Sequence, residues 1–338
     1  MNKTINAVAV AVAVALCIPF KASAIIDGTS VNKEDFQQFV EMGCTGNIIG
    51  GKWVLTAAHC TTNLGLKDVT RYDGSSAKTK AQHNQPAFDG TLSDISFWEL
   101  ESIQDVDQIN TISVNNIGAG QSITVYGFGG TAPQLNKAVQ TSEAVSGNAQ
   151  WLRTVDISQG KSTSGDSGSS YLNNADQIVA VHGGGSSTST GGMEGYRTET
   201  GRSFILDTVN GWHYPTNIKV SNTATITVQS LHVGGTTDAA YTSGDLAINY
   251  AASTCDDGAI GEFATCTYSV TTSGGQGQLF LSANEKIDVN KPVSTDNGGG
   301  SGGSNTNSGG GDSGGGSFGF ASLLALLGLG LSRSKVRN

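Results

Sequence analysis

The sequence predicts an all-β protein made of two successive β regions, and three observations carry that expectation. Apolar residues come in short runs rich in Val, Ile, Thr and aromatic side chains, such as Trp53–Thr56, Ser122–Tyr126 and Gln177–His182, the composition that suits a pleated, half-buried backbone. Gly is abundant (47 of 338 residues) and Pro scarce (5), and Gly, Asn and Ser punctuate those runs. No long apolar period of helical spacing appears. The Gly excess has no G-X-Y repeat, which excludes collagen. With 37% apolar residues the chain can build a core, which excludes disorder throughout.

Residues 1–24 open with the positive Met1-Asn2-Lys3. An apolar stretch over Ala7–Phe20 and the small-residue site Ala22-Ser23-Ala24 follow. That order is a secretory signal peptide, too short in its apolar part for an ordinary spanning helix. Residues 25–214 hold the β runs named above. The pattern changes at Pro215: residues 216–293 alternate more cleanly, through Ala224–Val228, Leu246–Ala251, Ala264–Val270 and Gln278–Ala283, with turns at Gly234-Gly235 and Gly274-Gly275. Regularly spaced short strands over 215–293 predict a small β-sandwich of immunoglobulin-like type. Residues 294–317 are a Gly/Ser/Asn tract with 11 Gly in 24 residues. Such a coil reaches roughly 25–30 Å. Residues 318–338 join a Gly-rich apolar stretch to the basic ending Arg333-Ser-Lys335-Val-Arg337-Asn338. Read from the residues alone, that end is a weak membrane anchor or a sorting signal that is recognised and cut, with its basic end cytoplasmic.

The chain has 19 basic and 28 acidic residues, and the part between residues 25 and 316 has 14 against 28. An acidic product without a basic stripe lacks the electrostatic footprint of a nucleic-acid binder. Cys17 leaves with the signal peptide. Cys44, Cys60, Cys255 and Cys266 remain, which allow three connectivities. Short loops favour Cys44–Cys60 and Cys255–Cys266, pairs that persist in an oxidising compartment. Neither pair has the spacing of a zinc site. His83, His213 and His232 lack acidic or thiol partners at ligand spacing, so neither a metal nor a cofactor is expected.

The first region carries the chemistry. Thr56-Ala57-Ala58-His59-Cys60 ends a strand on a His beside a Cys whose partner lies fifteen residues upstream of that His. Ser93-Asp94-Ile95 starts the apolar run that continues to Leu100. Gly165-Asp166-Ser167-Gly168 sets a Ser in a Gly-flanked loop. Gly311-Asp312-Ser313-Gly314 repeats the last motif in the linker, where a flexible tract cannot preorganise a nucleophile. A Ser hydroxyl needs an imidazole to take its proton, and the imidazole needs a buried carboxylate to orient it.

These residues, in this order, closely resemble the chymotrypsin/trypsin family of serine proteases over residues 25–214. The resemblance implies a chymotrypsin-like double β-barrel and hydrolysis of protein or peptide substrates. It makes His59 the general base, Asp94 its orienter and Ser167 the nucleophile. The N–H groups of Gly165 and Ser167 correspond to the oxyanion hole. Cleavage after Ala24 would start the mature chain Ile25-Ile26-Asp27-Gly28, which is similar to the family's activated N-terminus. The new ammonium on Ile25 would then pair with Asp166. No pro-segment separates Ala24 from Ile25, so export itself would activate the enzyme. The tail resembles the GlyGly-CTERM signal of exported gram-negative proteins. That likeness implies processing by a rhomboid-type protease, export to the medium or cell surface, and membrane contact through the C-terminal segment alone.

Specificity departs from the family pattern. Lys161 stands six residues before Ser167, where trypsins carry Asp, and Thr163 replaces a Cys of the pocket disulfide. His182, with the hydroxyls of Ser162 and Ser164, is similar to the arrangement in glutamyl endopeptidases. The combination implies preference for an acidic or small polar residue before the cut, weakening past a His182 pKa near ~6.5 if unperturbed. In the bland reading Lys161 faces solvent and His182 is an ordinary strand residue. A second function class stays open, a protease-like binding or adhesion module that acts through the sandwich.

Overall fold

The computed structural model describes residues 25–86, 94–129, 133–143, 150–155, 160–185 and 192–292. The expected signal peptide, the expected linker with Ser313 and the expected C-terminal sorting segment lie outside the described residues. Among the described residues no helix is long and apolar enough to cross a membrane.

The first seven-stranded sheet orders its strands Ser76–Ala77, Val69–Thr70, Phe39–Glu41, Thr45–Ile49, Trp53–Thr56, Ser96–Leu100 and Thr79–Asn84. The second closes on itself as a six-stranded barrel. Its order is Asn136–Glu143, Trp151–Val155, Met193–Arg197, Ile178–Gly185, Ser170–Leu172 and Ser122–Gly127, which pairs back to Asn136–Glu143. Thr29–Ser30 adds to its outside. This is the chymotrypsin-like double barrel. Period-two alternation along Asn136–Glu143 explains the closed barrel, since every second residue is buried until the strand's exposed last residue, Glu143. Two short helices, Ala58–Leu64 and Arg202–Val209, interrupt the β pattern. The second ends at Asn210 in a left-handed conformation (φ 38°), and Pro215 follows five residues later.

Past residue 211 two four-stranded sheets enclose a second apolar cluster. One orders Trp212–His213, Thr223–Ser230, Thr265–Thr271 and Ala247–Ile248. The other orders Asn217–Ile218, Lys286–Val289, Gly277–Phe280 and Tyr241–Gly244. Val228, Tyr268, Leu279 and Ile287 are fully buried between them. Of the predicted runs, Leu246–Ala251 shortens to a two-residue strand, and its end, Tyr250–Ala252, is a 3₁₀ turn. Both short-loop disulfides form, Cys44–Cys60 and Cys255–Cys266.

The compositional change at Pro215 is not a break in packing, because the chain up to Pro292 is one compact unit. Leu231 and Phe263 pack into the first core. Buried His213 accepts the Gly50 N–H at Nδ1 (2.9 Å), and its Nε2 meets the Asn110 carbonyl (3.0 Å). Gln229 bonds both the N–H and the carbonyl of Ile112. Burial holds His213 neutral, with its pKa pushed down to about 4.

Candidate active site

The Trp53–Thr56 strand runs directly into the helix that carries His59, and Thr56 pairs with Ser96, two residues after Asp94. Neighbouring strands therefore deliver the His and the Asp to one corner. Asp94 is 4% exposed. Its Oδ1 accepts the His59 backbone N–H (2.7 Å), and its Oδ2 lies 2.6 Å from Nδ1. Ala57, at the helix N-cap, caps nothing with its side chain, so Asp94 fills that role from another strand. An ionised carboxylate only accepts, so Nδ1 carries the proton and Nε2 keeps its lone pair. That is the tautomer of a general base.

The Ser167 loop packs against the same corner. Gly165 (φ 99°) and Gly168 (φ 86°) sit in the left-handed region, which favours Gly. A Cβ at Gly165 would meet the Gly129 carbonyl at 2.3 Å, and one at Gly168 would meet Thr56 Oγ1 at 2.1 Å. The Thr45 N–H donates to the Ser167 carbonyl (2.8 Å), and the Gly168 N–H to the His182 carbonyl (2.9 Å). Among the described residues neither the Gly165 nor the Ser167 N–H has a backbone acceptor. The donors of Cys44, His59 and Cys60 cluster within 4.8 Å. Both sulfurs are bonded to each other, which leaves no thiolate for a metal.

Asp166 and Ile25 are both fully buried. The Thr163 N–H donates to Asp166 Oδ2 (2.8 Å). Burial pushes the Asp166 pKa up to about 6, offset in part by the backbone N–H groups of Thr163, Ile25 and Gly129.

Around the expected specificity pocket the residues separate. Ser162 is half-buried, with its hydroxyl 3.9 Å from a Cβ built on Gly185. Lys161 and Ser164 are exposed, and the Lys161 backbone bridges to Ile26. His182 corrects one expectation. It is 2% exposed and its Nδ1 meets the Tyr171 hydroxyl at 2.8 Å. Burial first, and then the neighbouring His59, push its pKa down to about 3 against the Glu194 backbone carbonyl. His182 is therefore neutral throughout pH 5–9 and supplies neither positive charge nor a titration near 6.5.

Sequence reasoning missed Tyr171, the partner of His182, and Thr45, whose bonds reach across both barrels. Tyr171 sits in an ordinary apolar strand. Thr45 had one usable signal, its place next to Cys44.

A family model described as Trypsin matches residues 25–204, more than half of the chain. Among solved structures, that of the Vibrio cholerae VesB protease is similar at 16% identity, over 78% of this chain and 97% of that one (TM-score 0.47). The secreted serine protease VesC from Vibrio cholerae is similar at 16% identity, over 78% and 70% (TM-score 0.46). A mutant of human heparin binding protein, CAP37, is similar at 16% identity, over 55% and 96% (TM-score 0.48). No curated protein matches the chain.

Proposed function

This chain belongs to the trypsin family and is a serine-type endopeptidase, and from that premise we propose that Ser167, His59 and Asp94 are its catalytic triad. The observation that carries the assignment is Asp94 bonded to both the backbone and the ring of His59. His59 Nε2 takes the Ser167 proton as Oγ attacks the scissile carbonyl carbon. The Gly165 and Ser167 N–H groups receive the oxyanion. His59 then protonates the leaving amine, and water, activated the same way, releases the acyl group. A donor aimed at that oxyanion is worth roughly 3–4 kcal/mol. A fluorophosphonate probe tests the assignment: the expected adduct maps to the peptide containing Ser167. An unlabelled, folded protein would instead support the binding-module reading.

The same reading covers maturation. Ile25 is a β-branched residue at φ 40°, a conformation such residues rarely adopt. Cleavage after Ala24 abolishes that torsion, because the preceding carbonyl defines it. It also turns the Ile25 nitrogen, whose N–H already faces the Asp166 carboxylate, into an ammonium. Export with removal of residues 1–24 is thus the activating step. The tail is a sorting signal that holds the chain at the inner membrane until it is cut, leaving the enzyme secreted or at the cell surface. Residues 215–293 form an immunoglobulin-like sandwich beside the peptidase region.

We place the specificity pocket between Ser162 and Gly183–Gly185, with Lys161 and Ser164 at its rim. It favours an acidic or small polar residue before the cut bond. A single charge-assisted hydrogen bond there is worth about 1.5–3 kcal/mol, or at least ~10-fold in kcat/KM over Lys or Arg. Since His182 is neutral, that ratio stays flat from pH 5 to 9. Matched peptides that differ at this position measure it; preference for Lys or Arg would overturn the pocket.

A further inference from the structure

Thr45 is fully buried at the head of the Thr45–Ile49 strand, one residue after Cys44. We infer that Thr45 is a positioning residue of the peptidase reaction, locking the loop that presents the oxyanion donors to the strand that leads into the base. The inference rests on the reading of Ser167 as nucleophile.

Four hydrogen bonds define it. The Thr45 N–H donates to the Ser167 carbonyl (2.8 Å) and its hydroxyl to the Gly165 carbonyl (3.0 Å). The hydroxyl oxygen accepts the Phe128 N–H (3.1 Å), and the Thr45 carbonyl accepts the Thr56 hydroxyl (2.9 Å). Phe128 directly follows a strand of the closed barrel, Ser122–Gly127. Thr56 ends the strand that enters the His59 helix. One residue, through its side chain and the two peptide units that flank it, therefore ties together both barrels, the nucleophile loop and the approach to the base. The Cys44–Cys60 disulfide, next to Thr45 at one end and His59 at the other, anchors the same junction.

The two carbonyls that Thr45 holds belong to the peptides on either side of the one that carries the Ser167 N–H. Fixing both flanking planes fixes the direction of that donor. The loop has bonds of its own, from the Asp166 N–H to the Thr163 carbonyl (3.0 Å), the Ser169 N–H to the Asp166 carbonyl (3.0 Å) and the Gly168 N–H to the His182 carbonyl (2.9 Å). Thr45 adds the tie to the opposite barrel, on a loop whose Gly165 and Gly168 carry no side chains and have the widest backbone freedom. The hydroxyl hydrogen is committed to Gly165 and a lone pair to Phe128, so the group has one orientation. Thr45 touches no reacting atom. It acts by keeping the donors aimed where negative charge develops, an effect felt in the transition state and not in ground-state binding.

Thr45→Val keeps the shape and removes the hydroxyl. We expect kcat to fall roughly 10- to 100-fold with KM within about two-fold, the scale of a small misplacement in a preorganised site. A peptide aldehyde, whose adduct puts an oxyanion in the hole, should lose affinity by the same factor as kcat/KM. A non-covalent peptide inhibitor should bind unchanged. Thr45→Ser should restore activity to within about three-fold, because it returns the hydroxyl. Ser167→Ala in the same assay separates the two readings: an active Ser167→Ala removes the nucleophile assignment. An inactive one beside a Thr45→Val enzyme of normal kcat removes only the role of Thr45. Equal losses for aldehyde and non-covalent inhibitor, or no rescue by Ser, would also overturn it. If Thr45→Val does not fold, Thr45→Ala is read the same way. Loss of the fold in both would make Thr45 a folding requirement and end the proposal.

Discussion

Ser167→Ala lowers kcat/KM for peptide hydrolysis by about 10⁴-fold or more, the scale on which a triad nucleophile acts. The fold should survive, because the loop is shaped by backbone bonds and by Gly165 and Gly168, all of which Ala keeps. The thermal midpoint should accordingly move little. His59→Ala should fall nearly as far, and the double variant little further, since nucleophile and base act as a unit. Ser313→Ala, in the linker repeat of the same motif, should leave activity unchanged. Steady-state kinetics on enzyme of verified fold decides it. A Ser167→Ala enzyme that keeps a tenth of the activity would refute the proposed chemistry.

We expect the mature enzyme to begin at Ile25 and Asp166→Asn to cost it roughly 10²–10³-fold in kcat/KM, the equivalent of about 3–4 kcal/mol for stranding one partner of a buried ion pair. The sign of the pH effect follows from the groups involved. While residues 1–24 are attached, burial raises the Asp166 pKa to about 6. The folded state then binds more protons than the unfolded state between the ordinary carboxylate pKa and 6. Stability of the unprocessed chain therefore falls as pH rises through that window. After cleavage the Ile25 ammonium favours the carboxylate, and the carboxylate raises the ammonium pKa above its ordinary ~8. Activity that depends on the pair is present below that value and is lost as pH rises through it. The alkaline limb should vanish in Asp166→Asn, whose residual activity lacks the charge pair. Intact-mass analysis fixes the N-terminus, and pH–rate profiles of both enzymes read the rest. A fully active protein that starts elsewhere, or a wild-type alkaline limb in Asp166→Asn, would sink the pairing.

Much of the fold and of the candidate site was legible in the sequence because local chemistry demanded it. Trp53–Thr56 is β-rich and becomes a strand with the predicted bounds. Short loops brought each Cys to its partner. The Gly residues that flank Ser167 are required by backbone angles closed to other residues. Asp94 heads an apolar strand, and a strand start beside the His-bearing strand leaves it one place to point.

The sequence by itself determined the β class, favoured the two short-loop disulfides and singled out the proposed catalytic residues, since strand propensity, turn residues and loop length are local properties. Tertiary structure alone decided the charge of His182, because its neutrality comes first from burial and then from the neighbouring His59, 123 residues away in sequence. It also decided the role of Thr45, whose partners lie 11, 83, 120 and 122 residues away in sequence. It ties the residues around Pro215 to the first region as well, by burying His213 and Gln229 in contacts with it. Burial and long-range hydrogen bonds depend on which strands come to lie side by side, and no run of neighbouring residues encodes that.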